Sequence, residues 1–161
     1  MVLPRDQATW RAAVHSPTGG TEMGLVYADI ELVSGDDLAL FRRGFIGEDE
    51  IRKVKVQALA DSGSYMLVIG EPLREQLGLP ILGERVGRLA DQTERLVKVA
   101  GPVELRFANR RTTTDTLVFP GEVEVLLGAI PMEDLDVMID PKQQRLVVNP
   151  DYPNIPLTYV K

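Results

Sequence analysis

The strongest constraint on the fold is an alternation of apolar and polar side chains that recurs in short runs along the chain. The runs Val26–Leu32, Lys53–Ala58 and Val103–Phe107 all alternate with a period of two. Such alternation is typical of strands with one buried face. Gly, Pro, Asn and Asp interrupt the runs. We therefore predict an all-β chain, mainly β with one or two short helices, in which about eight or nine short strands build a small barrel or sandwich.

The length of the chain and the positions of its turn-forming residues favour one folded domain with a less regular segment at each end. The chain has 161 residues, the usual size of one domain. Residues 1–22 are predicted to be an N-terminal arm or linker, because they end in the turn-rich run Ser16–Gly20. Residues 23–150 form the predicted domain, and residues 151–161 a proline-containing extended tail. With no apolar run long enough to span a bilayer and no signal-peptide pattern, the expected location is cytoplasmic.

The composition excludes several kinds of chemistry. The chain has no cysteine, which excludes thiol catalysis, thiolate metal sites and disulfides. It has one histidine, His15, so a histidine-rich zinc site within one chain is excluded. The net charge of −6 argues against binding nucleic acid or an anionic membrane through a general basic field. An enzyme of this composition would work with carboxylates and hydroxyls.

The candidate for such chemistry is the run Asp61-Ser62-Gly63-Ser64, which follows an apolar strand. Gly63 allows the backbone to approach the Asp61 carboxylate closely, and the Ser62 hydroxyl can bond to nearby backbone or to a neighbouring chain. Taken alone, this run is more often an Asx-type turn between two strands. The tripeptide by itself therefore does not decide the function.

A second pattern farther along the chain changes this interpretation. Leu126-Leu127-Gly128 ends an apolar run and precedes a short helical stretch, and a predicted hairpin over residues 85–100 lies between the two motifs. In this order the motifs resemble those of the retropepsin-like aspartic proteases, over residues 23–150. The opening Met23–Tyr27 is similar to that of the prokaryotic group of this family.

The resemblance implies a small closed acid-protease-type barrel, a retropepsin-like subunit. It also implies an aspartic endopeptidase in which two Asp61 carboxylates, paired across a homodimer, activate a water; no cofactor or metal is implied. The chain has one Asp-Thr/Ser-Gly motif, at Asp61. The other Asp-Thr pair, Asp115-Thr116, is followed by Leu117 and not by glycine. By resemblance, the catalytic residues are Asp61, Ser62 and Gly63. The resemblance also implies that the substrate is bound by Ala90, Asp91, Gln92 and Thr93 of a flap and by Leu127 and Gly128. It further implies that Leu126–Gly128 pack behind the catalytic loop.

Two alternatives stay open at this point. One is a non-catalytic peptide- or protein-binding module on the same fold, and the other is an unrelated small β-domain. The expected partners are a second copy of the chain and a peptide or protein substrate, with no nucleic acid and no membrane. Acidic groups such as Asp36-Asp37 are predicted to be solvated surface rather than cation ligands, and Arg110-Arg111 to be exposed turn charges.

Overall fold

The computed structural model describes residues 25–161, so the predicted arm at 1–22 lies outside the described residues. Over residues 25–161 the chain forms nine strands, three α-helices and a turn of 3-10 helix at Glu48–Glu50. None of these helices is both long and apolar enough to cross a membrane. The strands are β1 Val26–Ser34, β2 Lys53–Ala60, β3 Leu67–Gly70, β4 Ile81–Arg88, β5 Glu94–Phe107, β6 Arg110–Phe119, β7 Val125–Leu127, β8 Val137–Asp140 and β9 Arg145–Val148; the helices are α1 Gly35–Arg42, α2 Glu71–Leu77 and α3 Ala129–Leu135.

Six of the strands close into a barrel. They pair in the order β1-β2-β7-β3-β6-β5, and a further pairing of β1 with β5 joins the two ends. β4 adds to the outer edge of β5, and β8 pairs with β9 in a separate hairpin. The predicted fold class, all-β with a small closed barrel and short helices, is confirmed by this strand pairing.

The barrel wall has apolar side chains on both faces, which form two clusters. The inner cluster fills the barrel and includes Ala58 and Ala60 of β2. The outer cluster lies on the other face of the wall, because side chains of a strand alternate between its faces. It consists of Leu59, Val68, Leu89, Val97, Phe119 and Leu126, with Leu25, Tyr27, Leu117 and Val123 packed against it.

Helix α1 was not predicted from the sequence. Ser, Gly and Asp at residues 34–37 interrupt the alternation of β1, as they would in a turn, but Ser34 caps a helix: its hydroxyl oxygen accepts a hydrogen bond from the amide of Asp37. The prediction that Asp37 is solvated surface is also wrong. Asp37 is buried, and its carboxylate accepts hydrogen bonds from the backbone and guanidinium of Arg52.

The prediction for Arg110 is wrong as well. Its side chain is fully buried, whereas that of Arg111 is largely exposed. The Arg110 guanidinium donates to the carbonyl oxygen of Tyr152, and it lies 3.8 Å from the carboxylate of Asp136. Arg110 therefore anchors the C-terminal segment against the start of β6.

Candidate active site

The candidate catalytic loop begins directly after the last residue of β2. The amide of Asp61 donates to the carbonyl oxygen of Leu127 at 3.0 Å, which extends the parallel pairing of β2 with β7 by one residue. The amide of Gly63 donates to Asp61 Oδ1 at 2.8 Å, and that of Ser64 donates to the carbonyl oxygen of Asp61. Asp61 is half-buried, while Ser62 and Gly63 are exposed. The carboxylate is thus oriented by its own turn at the surface of the barrel.

The segment after β7 supports this loop from behind. The amide of Ala129 donates to the carbonyl oxygen of Ser64 at 2.7 Å, and the amide of Ile130 donates to that of Tyr65 at 3.0 Å. Gly128 has no room for a side chain, since a Cβ there would lie 2.5 Å from the carbonyl oxygen of Met66. The structure therefore brings the two predicted motifs together through backbone contacts.

Leu127 lies on the inner side of this support. Its side chain is fully buried in the inner cluster. The packing role that the resemblance implies for Leu126–Gly128 stays a prediction. The direct contact of Leu127 and Gly128 with a substrate stays a prediction.

The predicted flap is an ordered hairpin of β4 and β5. Its tip is closed by two backbone hydrogen bonds, from the amide of Leu89 to the carbonyl oxygen of Thr93 and from the amide of Gln92 to that of Leu89. Asp91 Oδ1 accepts from both the hydroxyl and the amide of Thr93, and these bonds hold the pKa of Asp91 below its usual value. The predicted tip residues Ala90–Thr93 are all exposed.

Leu89 fixes the hairpin relative to the barrel, and the sequence did not single it out. Its side chain is only 8% exposed and belongs to the outer cluster together with Leu59 and Leu126. An apolar residue in an otherwise polar hairpin tip was the signal that could have identified it.

The outer cluster lies beside the candidate carboxylate. Leu59 belongs to it and precedes Asp61 by two residues, and residues two apart in an extended chain project to the same side. Leu126, which is paired with Leu59 in the β2–β7 ladder, belongs to the cluster too. The site thus combines an oriented carboxylate, an apolar surface and a hairpin that packs on that surface.

The described residues offer no alternative metal centre. Within residues 25–161, no group of three or more Asp, Glu, His or Cys side chains is arranged to hold a metal ion. The chemistry that the site itself offers is that of a carboxylate acting on a bound water or a polar group.

Comparisons with known proteins find similarity among solved structures. No protein-family model and no curated protein matches the chain. Among solved structures, the retroviral protease-like domain of Ddi1 from Leishmania major is similar, with a TM-score of 0.49 and 16% sequence identity, over 78% of this chain and 89% of that one. The barrel itself is established by the strand pairing described above.

Proposed function

We propose that this chain is an aspartic endopeptidase that acts as a homodimer, with Asp61 of each copy meeting at the twofold axis. The observation that carries the proposal is the geometry of Asp61. It stands at the end of an apolar strand, its Oδ1 accepts from the amide of Gly63, and its own amide is bonded to Leu127. The order of the two motifs, which resembles that of retropepsin-like proteases, supports the same function.

The proposed dimer follows from the chemistry of the reaction. Two carboxylates held about 3 Å apart cannot both be ionised, so they share one proton and become a base and an acid together. This chain has one Asp-Ser-Gly sequence, and Asp115-Thr116 lacks the following glycine. A second copy of the chain is therefore the natural source of the second carboxylate, in an isologous interface.

The reaction would proceed without a covalent enzyme intermediate. The ionised Asp61 takes a proton from a water whose oxygen attacks the carbonyl carbon of the peptide, while the protonated Asp61 gives its proton to the carbonyl oxygen. The Asp61 that took the water proton then gives it to the amide nitrogen of the tetrahedral intermediate, the other Asp61 takes a hydroxyl proton as the carboxyl group forms, and the C–N bond breaks. Each step moves protons between carboxylates and substrate, and no cofactor is required.

The substrate would lie extended between the catalytic loop and the hairpin. An extended peptide can pair its backbone with strand edges, and it presents alternate side chains to opposite sides. The outer cluster would then receive apolar side chains of the peptide, and Ala90–Thr93 would cover it.

The test is cleavage of a diverse peptide pool across about pH 3 to 8, read by mass spectrometry, for the wild type, Asp61→Asn and Asp115→Asn. Asp115 is exposed and is the matched control, since it is the other Asp-Thr/Ser position of the chain. The proposal expects cleavage by the wild type and by Asp115→Asn, and none by Asp61→Asn.

Two outcomes contradict the proposal. Cleavage by Asp61→Asn would assign the activity to another group. No cleavage by a wild-type sample that is dimeric in sedimentation would favour the alternative, a peptide- or protein-binding module on the same fold. That module would retain its partner in Asp61→Asn.

A further inference from the structure

The β4–β5 hairpin has two faces, and they differ in charge. Residues directly opposite each other in an antiparallel pair share a face. Arg85 lies opposite Val97, and Gly87 lies opposite Arg95. Since Val97 and Arg95 are two residues apart in β5, these four residues share one face. We call it the cleft face.

The cleft face is the one that points toward the candidate site. Val97 is 2% exposed and belongs to the outer cluster, as does Leu59, which precedes Asp61 by two residues. Arg95 stands one step nearer the hairpin tip than Val97 on the same face, between Val97 and the tip residues that end in Thr93. A peptide held between the hairpin and Asp61 would therefore meet the cleft face.

The opposite face of the hairpin, which we call the solvent face, has its charges balanced. Arg88 lies opposite Glu94 and forms an ion pair with it at 2.6 Å. The other opposed residues of this face are Glu84 with Lys98 and Val86 with Leu96.

The cleft face has positive charges without matching negative ones. Arg85 faces a valine and Arg95 a glycine, and neither arginine forms an ion pair within residues 25–161. Arg95 Nε is buried, and no acceptor for it exists in that part of the chain. The positive charge of Arg95 helps to lower the pKa of Asp91 at the tip, but the Asp91 carboxylate accepts its hydrogen bonds from Thr93 and not from Arg95. A buried donor of this kind requires an acceptor, which the described residues do not supply.

We propose that Arg95, together with Arg85, makes the site selective for peptides that place an Asp or Glu side chain under the hairpin. This inference rests on the proposed function. A guanidinium offers a planar fork of donors that matches a carboxylate. Arg85 and Arg95 are diagonal neighbours on one face, about 7–8 Å apart at their backbones, so two long side chains can reach the same carboxylate. Gly87, opposite Arg95, leaves that approach open.

The experiment uses matched synthetic peptides that differ only in Glu or Gln at one position, taken from the cut sites of the peptide pool. For the wild type, kcat/KM for the Glu peptide should exceed that for the Gln peptide about tenfold, as a charge-assisted hydrogen bond provides. Arg95→Gln should bring this ratio to about one and leave kcat/KM for the Gln peptide within about twofold. Arg85→Gln should lower the ratio less.

Arg88→Gln is the matched control, because it removes the same charge from the solvent face of the same hairpin. It should leave the Glu-to-Gln ratio unchanged. An equal fall of the Glu-to-Gln ratio in Arg88→Gln and Arg95→Gln would contradict the inference, because the preference would then arise from the general positive field of the hairpin. An unchanged ratio in Arg95→Gln would overturn it outright.

A binding measurement separates this inference from the proposed function. Fluorescence anisotropy measures the Kd of fluorescent peptides that carry one Glu or one Gln among apolar residues. The two proteins compared are Asp61→Asn and the double variant Asp61→Asn, Arg95→Gln. If the wild type cleaves nothing, the proposed catalysis fails. The carboxylate preference then still stands if Glu peptides bind about tenfold more tightly and Arg95→Gln abolishes that difference, and it falls if both peptides bind equally.

Discussion

The backbone amide of Asp61 and the carbonyl oxygen of Leu127 lie 3.0 Å apart in a hydrogen bond that continues the β2–β7 ladder into the loop at residues 61–64. The position of the carboxylate is therefore set by two buried strands and only secondarily by the loop. A precise carboxylate position is what a reaction between two symmetry-related groups requires. Substitutions at the contact between β7 and this loop should consequently affect activity as well as stability.

Gly128→Ala tests this dependence. Its new Cβ would lie 2.5 Å from the carbonyl oxygen of Met66 and 2.6 Å from the carbonyl carbon of Tyr65, so the loop must move. We expect a loss of about 1–3 kcal/mol in the free energy of unfolding and a fall of about 100-fold in kcat/KM. Urea unfolding and peptide cleavage measure the two effects. Gly83→Ala, whose Cβ would meet nothing within 4 Å, is the control and should change stability by less than about 0.5 kcal/mol.

Ser62→Ala tests the proposed contact across the twofold axis. Ser62 is exposed in the single chain, and its hydroxyl, which can bond to a neighbouring chain, would lie beside the proposed twofold axis. Loss of two symmetric hydrogen bonds of about 1 kcal/mol each would raise the dimer dissociation constant about 30-fold. Sedimentation velocity over a concentration series measures this constant. Ser62→Thr keeps the hydroxyl and should dimerise as the wild type does; equal dimerisation of all three proteins would contradict the contact.

The ion pair of Asp37 with Arg52 gives a prediction about pH. Hydrogen bonds from Arg52 hold the pKa of the buried Asp37 below its usual value, against the opposing effect of burial. Because the folded-state pKa is the lower one, the stabilisation is complete above the unfolded-state pKa of about 3.9 and is lost as the pH falls through the folded-state pKa. Asp37→Asn should lower the free energy of unfolding by about 1–3 kcal/mol at neutral pH.

The pH series supplies the control for this pair. The difference between the wild type and Asp37→Asn should shrink as urea unfolding is repeated below about pH 4. Asp36→Asn removes the same charge from the exposed neighbour and should change stability by less than about 0.5 kcal/mol. A difference for Asp37→Asn that is independent of pH would show that the carboxylate acts through packing alone.

Several strands of the barrel could be predicted from the sequence, because apolar and polar residues alternate over most of their length. Val26–Leu32 and Lys53–Ala58 lie within β1 and β2, and the predicted hairpin tip at residues 90–93 is the tip of the β4–β5 hairpin. The end of the hairpin predicted over residues 85–100 and the separate run Val103–Phe107 belong to one long strand, β5, which has a register shift between Ala100 and Val103. A local interruption of the pattern therefore does not distinguish a turn from an irregularity within a strand.

The features that were missed depend on partners distant in sequence or on register. The composition of residues 34–37 suits a turn and a helix N-terminus equally, so α1 was not recognised. The face on which Arg95 lies follows from its pairing with Gly87, and a shift of one residue would place it on the opposite face of the hairpin. The loop at Asp61 follows β2 as the sequence predicted, because its residues are contiguous; the catalytic roles of Asp61, Ser62 and Gly63 stay predictions.

Arg110 connects β6 to the tail at residues 151–161. Its side chain is fully buried, donates to the carbonyl oxygen of Tyr152 and lies 3.8 Å from Asp136. Arg110→Gln should lower the free energy of unfolding by about 1–3 kcal/mol, since it removes the hydrogen bond that the buried guanidinium donates to the carbonyl oxygen of Tyr152. It should also speed limited proteolysis within residues 151–161. Arg111→Gln, at the exposed neighbour, should change stability by less than about 0.5 kcal/mol. Equal proteolysis rates for the two variants would mean that Arg110 does not anchor the tail.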